Sequence, residues 1–432
     1  HTPIRRQRQM CIRDRSKDSK DYLEESRISE LLNKYNKFMP HPIKFGTKEE
    51  TIPGKEGEKE EKVTIDNIIN NPNPAWTKTP ADLKDEDYKQ FYRELYPYQF
   101  EEPLFHIHLN VDYPFNLTGI LYFPKISNDL NLQKDRIQLY QNQVFVTDNV
   151  EGIVPEFLGL LKGVIDSPDI PLNVSRSYLQ SDASVKKITN YITRKVADKL
   201  NSIFKNEREN LESKWNDIKV VIEYGMLTED KFYDKAESFN LYPTVNDKYL
   251  TYEELEKKIK KLQTDKDGNL IILYAQNKDE QYTFIESAKE KGYEVLLLDS
   301  PIIPHLMQKL ESKKEKIKFS RVDSDTLENL IKKDEEVISK LTDEEKEKLK
   351  PMIETAVENE KYTVQLEALD SNSMPFMLAQ PEFMRRMKEM QQTGGGAMGN
   401  LPEMFSLIVN TNHELVGKIL NTRTEKKRLS LI

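Results

Sequence analysis

The residues best equipped for chemistry lie in LKGVIDSPDIPLNVSRSYLQ, residues 161–180. Arg176 follows Ser175, and Gln180 stands at i+4, one turn away if a helix begins here. A guanidinium is planar, permanently charged and able to neutralise phosphoryl oxygens bidentately. Gln180 is placed to hydrogen-bond that guanidinium or a phosphate. Asn173 can hold the turn through Asx-type contacts to the backbone. Pro168 and Pro171 fix φ and stiffen the segment, which lowers the entropy lost on docking. An arginine beside a helix start is more often a surface or ion-pair residue, and these residues alone leave both readings open.

Three other features carry residue types with chemical capacity. Met374, Phe376, Met377, Phe383, Met384, Met387 and Met390 form a Met/Phe-rich stretch, with Phe383, Met387 and Met390 on one helix face. Such a stripe is usually core, yet flexible methionine is also overused on promiscuous binding surfaces. His106 and His108 share one face of a strand. No cysteine lies near them and no third ligand is evident, so packing is the expected role and no metal site is expected. Gly394–Gly396 reads as a hinge, since no G-x-x-x-x-G-K-[ST] phosphate loop occurs in the chain.

The elements that must position these residues follow from periodicity. Ile28, Leu31, Leu32 and Tyr35 mark a helix, and Pro40 and Pro42 force an extended exit. Residues 46–64 are charged without an apolar face and read as an exposed insertion or loose hairpin. Residues 104–125 alternate as strand, DYPFN turn and strand, and 137–147 adds another strand. VPEFLGLLKGVI (154–165) reads as an apolar helix opened by proline. Residues 185–218 read as one long amphipathic helix with Ile188, Ile192, Val196, Leu200 and Ile203 on its apolar face. Helices at 232–239 and 252–262 precede strand 270–275. A helix at 284–292, ending on Gly292, and strand 293–299 then complete a parallel βαβ unit. A charged helical stretch (326–359) leads to strand 363–369, helix 381–390, strand 404–410 and a helix over 413–420 capped by Asn412.

Composition narrows the function. The 432 residues carry 65 basic and 73 acidic side chains, a net charge of −8, which argues against a nucleic-acid partner. No apolar run approaches the roughly 20 residues needed to cross a bilayer, so no membrane partner is expected. The single cysteine, Cys11, permits no internal disulfide, and a cytoplasmic location is expected. Residues 1–15 lack apolar periodicity and read as foreign sequence, as do the similar-looking 428–432, a basic native tail being the other reading.

The 161–180 segment resembles the catalytic loop of the heat-shock protein 90 chaperone family, through Val164, Asp166, Ser167, Asp169, Pro171, Leu172, Asn173, Ser175, Arg176, Leu179 and Gln180. The resemblance continues in Trp76, DEDYKQFY (85–92), EEPLFHIHLNVDYPFNLTGILYFPK (101–125), IQLYQNQVFVTDNVEGIVPEFLGLLKGV (137–164), GNLIILYA (268–275) and KGYEVLLLD (291–299). Roughly residues 23–420 fit. The family's usual Arg pair is Asn142 and Gln143 here, and its usual Glu-Met after the arginine is Ser177–Tyr178.

This resemblance implies a multidomain α/β (α+β) chain. Residues 1–22 would be a foreign tail and 23–220 the large α/β part of a middle domain with the catalytic loop. Residues 221–322 would be its smaller βαβ part, 323–427 an incomplete C-terminal dimerisation domain, and 428–432 foreign. It implies a molecular chaperone that folds client proteins in an ATP-driven cycle, with Arg176, Gln180 and Asn173 catalytic, the arginine reaching the γ-phosphate. Phe383, Met384, Met387 and Met390 would contact unfolded clients. ATP and Mg²⁺ would be bound by an N-terminal domain expected to be missing here, so this chain alone is expected to bind neither and to be inactive as an enzyme. The family's homodimer is held by C-terminal helices that the last residues leave no room for. The other reading is a standalone client-binding or scaffold protein without ATPase activity.

Overall fold

Alternation at 105–123 produces the strands it predicts, and they build a mixed sheet around one central, fully buried strand. The computed structural model describes residues 21–52, 61–125, 137–150, 154–170, 183–333, 337–357, 361–394 and 404–432. The chain divides into two compact units, residues 1–200 and 201–432.

In the first unit, helix α1 (Glu25–Asn36) precedes an antiparallel hairpin of β1 (Lys44–Ile52) and β2 (Glu61–Ile68). Helix α2 (Asp85–Leu95) follows. Strands β3 (Phe105–Val111), β4 (Leu117–Phe123), β5 (Gln138–Gln141), β6 (Val144–Thr147) and β7 (Lys162–Asp166) form one sheet in the order β3-β4-β7-β5-β6. Strand β7 pairs antiparallel with β4 and parallel with β5, and every residue in it is buried. That is why 161–166 departs from the helix expected there. A short run buried on both faces, its charged ends Lys162 and Asp166 included, has no alternation to separate strand from helix. Only a 3₁₀ turn at Glu156–Leu160 remains of the expected helix.

Gly163 has φ +131°, and a Cβ there would lie 2.1 Å from the Ile120 carbonyl oxygen, so glycine lets β4 and β7 approach. One sheet face is covered by an aromatic cluster of Phe38, Trp76, Tyr88, Phe91, Tyr92 and Tyr140. Phe38 meets Trp76 edge-on, with centroids 4.8 Å apart.

The expected long helix is three: α3 (Ala183–Asn206), α4 (Arg208–Ser213) and α5 (Trp215–Thr228). The apolar period runs through the breaks, since Leu211, Trp215 and Ile218 are buried in phase, so the sequence hides them. At the first break Arg208 turns to Glu254 (2.6 Å) and to the Tyr249 carbonyl (3.0 Å).

The second unit continues with α6 (Asp230–Ala236), the short strands β8 (Tyr242–Pro243) and β9 (Tyr249–Leu250), and α7 (Tyr252–Ile259). Then come β10 (Leu270–Ala275), α8 (Tyr282–Glu290), β11 (Val295–Leu297), α9 (Ile303–Lys313) and β12 (Ile317–Arg321). The three strands are parallel in the order β11-β10-β12. Gly292, at φ +74°, ends α8 as expected: its N–H bonds to the Lys289 carbonyl and that of Tyr293 to Ala288, a Schellman closure.

Among the described residues of the charged stretch 326–359, α10 (Leu327–Leu330) and α11 (Asp343–Val357) are helical. Strands β13 (Tyr362–Glu367), β14 (Phe376–Ala379) and β15 (Phe405–Asn410) form a sheet in the order β13-β15-β14, with α12 (Glu382–Gly394) between β14 and β15 in sequence. Strand β14 was hidden within the Met/Phe-rich stretch. Helices α13 (Glu414–Asn421) and α14 (Glu425–Leu429) follow. Leu349, Ile353, Val364, Val409, Val416 and Ile419 make the core here, and Leu431 packs against it.

The cap of α13 is His413, whose Nδ1 accepts from Leu415 N–H (3.1 Å), and not Asn412. Asn412 is buried and does something larger. Its amide donates to the Ile338 (3.1 Å) and Leu369 (3.0 Å) carbonyls, and its oxygen accepts from Lys340 N–H (2.6 Å). One side chain thereby ties together three chain segments whose buried backbone groups need partners.

Candidate functional site

Arg176, Gln180 and Asn173 lie outside the described residues. The segment that leads to them is described through Ile170, and it leaves the carboxyl end of β7, in mid-sheet. Its base is clamped. Asp166 is buried, and its Oδ2 accepts from the Trp76 indole N–H (3.2 Å) and the Gln143 backbone N–H (2.8 Å). Burial pushes this carboxyl up, opposed by the hydrogen bonds from Gln143, Trp76 and Asn142. Ser167 N–H donates to the Tyr140 carbonyl (3.2 Å), and its hydroxyl to Asn116 (2.6 Å). The Gln141 amide donates to the Pro168 carbonyl (3.1 Å), and Asn116 N–H to Asp169 Oδ2 (2.6 Å). The residues from 166 to 169 are thus held by the turns on both flanking strands.

Two local features make this clamp. Asn142 (φ +50°) and Gln143 (φ +64°) are the two-residue turn between β5 and β6, both left-handed as a type I′ hairpin requires. That turn aims the Gln143 N–H at Asp166. On the other side, Gly163 N–H donates to the Tyr96 hydroxyl (2.8 Å) and the Tyr122 hydroxyl donates to the Tyr88 carbonyl (2.8 Å), joining the aromatic cluster to β7 and β4.

His106 and His108 face α2. The His106 ring stacks on Tyr88 at 3.9 Å, and the Tyr88 hydroxyl is hydrogen-bonded to His108 Nδ1 (3.0 Å). Burial, then the charge of Lys199, pushes His106 down to about 4, and burial lowers His108 too. Among the described residues no group of three His, Cys, Asp or Glu side chains could hold a metal.

In the second unit, α12 has two faces. Phe383 is 70% exposed, while Met384, Met387 and Met390 are half-buried. A neighbouring face carries Glu382, Arg385, Arg386 and Glu389, spaced i, i+3, i+4 and i+7. Glu382 Oε1 accepts from the Tyr274 hydroxyl (2.8 Å), Arg385 (2.7 Å) and Arg386 (2.6 Å), and its Oε2 from Arg321 N–H (3.1 Å). Burial alone would raise Glu382. The two guanidinium groups outweigh it and hold the carboxyl below its ordinary range. Arg386 also reaches Glu311 (2.9 Å) and the Phe319 carbonyl (2.7 Å). The Met/Phe stripe is therefore neither simply core nor simply surface: Phe383 stands in solvent because the charged face is the one that docks.

Sequence reasoning passed over a second exposed aromatic group. Tyr98 and Phe100 are 91% and 98% exposed. Phe100 borders a cleft of about 220 Å³ that Lys89, Arg93 and Glu102 also line. Lys89 (2.9 Å) and Arg93 (2.7 Å) both pair with Glu102. Both belong to YPYQF (96–100), whose first aromatic, Tyr96, is buried, so the alternation in sequence does not separate the exposed pair from the core.

Residues 46–429 match a family model described as Hsp90 protein. The chain is similar to the chaperone protein htpG of Bacteroides fragilis (strain YCH46), 55% identical over 408 residues, covering 93% of this chain and 59% of that protein. It is 52% identical over 419 residues to chaperone protein HtpG of Porphyromonas gingivalis (strain ATCC BAA-308 / W83), covering 96% and 60%. It is 31% identical over 328 residues to chaperone protein HtpG of Halalkalibacterium halodurans, covering 73% and 51%. The chain thus spans about three-fifths of the length of its more similar curated relatives.

Proposed function

This chain belongs to the Hsp90 protein family, and from that premise we propose that it works as part of a molecular chaperone whose cycle is driven by ATP. It supplies a γ-phosphate-contacting arginine, Arg176, and a client-contacting surface that includes Phe383. ATP and Mg²⁺ are the ligands of that cycle, unfolded or partly folded proteins its clients, and a cytoplasmic homodimer its working form. Among the described residues no helix is long and apolar enough to cross a membrane.

The observation that carries this reading is the clamped base of the 161–180 segment. A loop that carries a charge to a phosphoryl group needs a fixed root, because misplacement of the charge costs rate steeply. Asp166, Ser167, Pro168 and Asp169 give it one through bonds to two neighbouring turns. Hydrolysis of the γ-phosphate spreads negative charge over its oxygens, and a guanidinium neutralises that charge as it develops. Gln180, four positions after Arg176 in sequence, is suited to hydrogen-bond the guanidinium or the phosphate, and Asn173 to bond the backbone ahead of the arginine.

The test joins this chain to a nucleotide-binding domain and compares wild type with Arg176→Ala. Nucleotide affinity should change little while steady-state ATP turnover falls sharply. Arginine fingers are worth roughly 10³–10⁵ in rate in GTPases, and a smaller factor is expected of a slower enzyme. Equal turnover of the two proteins would remove Arg176 from the mechanism.

A further inference from the structure

We propose that α12 is a reversibly docked element, latched to the carboxyl edge of the β11-β10-β12 sheet by ions, so that it undocks while that sheet stays folded. The docked face is charged from end to end. Glu382 meets Tyr274 and Arg321, Arg386 meets Glu311, and Glu389 accepts from Arg385 (2.6 Å) and from the Gln276 amide (3.4 Å). Arg321 completes the layer by donating to Gln276 (2.9 Å) and Asp323 (2.5 Å).

An apolar contact forfeits its burial energy when it opens. An ionic contact exchanges one set of polar partners for another, because water solvates each charge on release. Polar surfaces of this kind are typical of contacts between parts of a chain that move relative to one another. The apolar side chains of α12 oppose release only in part, since Phe383 is exposed and Met384, Met387 and Met390 are only half-buried, with much of their surface already in water.

Two further observations point the same way. Arg385 is buried with its Nε lacking a hydrogen-bond partner, so the docked state bears a desolvation cost that undocking removes. The helix also sits at the carboxyl ends of β10 and β12, where the strand order reverses. In open parallel sheets that crevice takes a ligand. Here it holds the carboxylate of Glu382.

Hydrogen exchange on the whole chain tests the latch, comparing peptides covering α12 with those covering β10 and α8. Arg386→Met keeps the aliphatic stem and removes the charge, and Glu382→Gln keeps the shape and removes the other charge. Each should speed exchange in α12 at least tenfold and leave β10 and α8 unchanged. Raising NaCl from 0.05 M to 1 M should speed α12 in the wild type and add little in the variants. If β10 accelerates in step with α12, or if neither variant nor salt moves α12, the latch is wrong. Exchange reports docking whether or not a client binds. The further consequence, that undocking uncovers Met384 and Met387 for clients, rests on the chaperone reading and fails separately if both variants undock yet client affinity is unchanged.

Discussion

Replacing Phe383 by serine separates a binding surface from a core. Phe383 is 70% exposed, so about a third of its surface is buried. A phenylalanine offers roughly 200 Å², which leaves about 60 Å² buried, or about 1.5 kcal/mol at ~25 cal/mol per Å². That is the upper end of the expected loss in stability, a fall in Tm of about 5 °C or less for a unit of this size. Phe319, on β12, is 1% exposed and serves as the control, since Phe→Ala in a core costs about 3–5 kcal/mol. The remaining surface, about 140 Å², is free to be covered by a client. Covering half of it is worth nearly 2 kcal/mol, more than tenfold in Kd. Anisotropy titration of a labelled, permanently unfolded protein should show that loss for Phe383→Ser, and a larger one when Met387→Ser is added. If Phe383→Ser instead melts like Phe319→Ala and binds the unfolded protein as wild type does, the residue is structural and the client surface lies elsewhere.

Two other perturbations follow from buried polar groups. Asn412→Ala should cost about 2–4 kcal/mol in denaturant titration, because it strips partners from the Ile338 and Leu369 carbonyls and the Lys340 N–H together. His413→Ala, which loses only the α13 cap, should cost about 1 kcal/mol or less, and the reverse order would restore Asn412 as the cap. Glu223 is buried on α5 one turn from Lys219, which pairs with Asp299 (2.5 Å). Burial pushes Glu223 up to about 7, against the pull of Ser300 and Lys219, with Asp299 adding to the rise. A carboxyl whose folded pKa is raised contributes its stability fully below the unfolded pKa and loses it as pH rises through the folded one. Wild-type stability should therefore fall between about pH 4.5 and 7, by up to about 3 kcal/mol. Urea melts of Glu223→Gln should show that slope largely gone, and an unchanged slope would place the titrating group elsewhere.

What was legible in the sequence was whatever depends on neighbours in the chain. The alternation of β3 and β4 and the Gly292 closure of α8 are local, and both stand as read. The strand at 162–166 was not legible, because its burial on both faces is a property of the sheet. The charged face of α12 was hidden for a related reason. Glu382, Arg385, Arg386 and Glu389 are as periodic as Phe383, Met387 and Met390. Yet charges on a helix read as solvated until their partners are known, and Glu311 lies 75 positions from Arg386 and Tyr274 lies 108 from Glu382. Burial of a charge is decided by contacts that no window of sequence contains.

The same distinction bears on the departure at Asn142 and Gln143, where the family's usual Arg pair is absent. These residues fill a left-handed two-residue turn, and it is the backbone N–H of Gln143 that reaches Asp166. A backbone donor does not depend on the side chain that carries it, so the clamp beneath the 161–180 segment tolerates the change. Asparagine enters the left-handed region more readily than arginine, which favours the turn. The other arm has no such freedom. The Trp76 N–H that meets Asp166 belongs to an indole wedged between Phe38, Phe91 and Tyr140, and no other side chain brings both that volume and that donor. The residue that constrains the root of the arginine segment is therefore Trp76, 90 positions upstream of Asp166, more than the pair that differs from the family beside it.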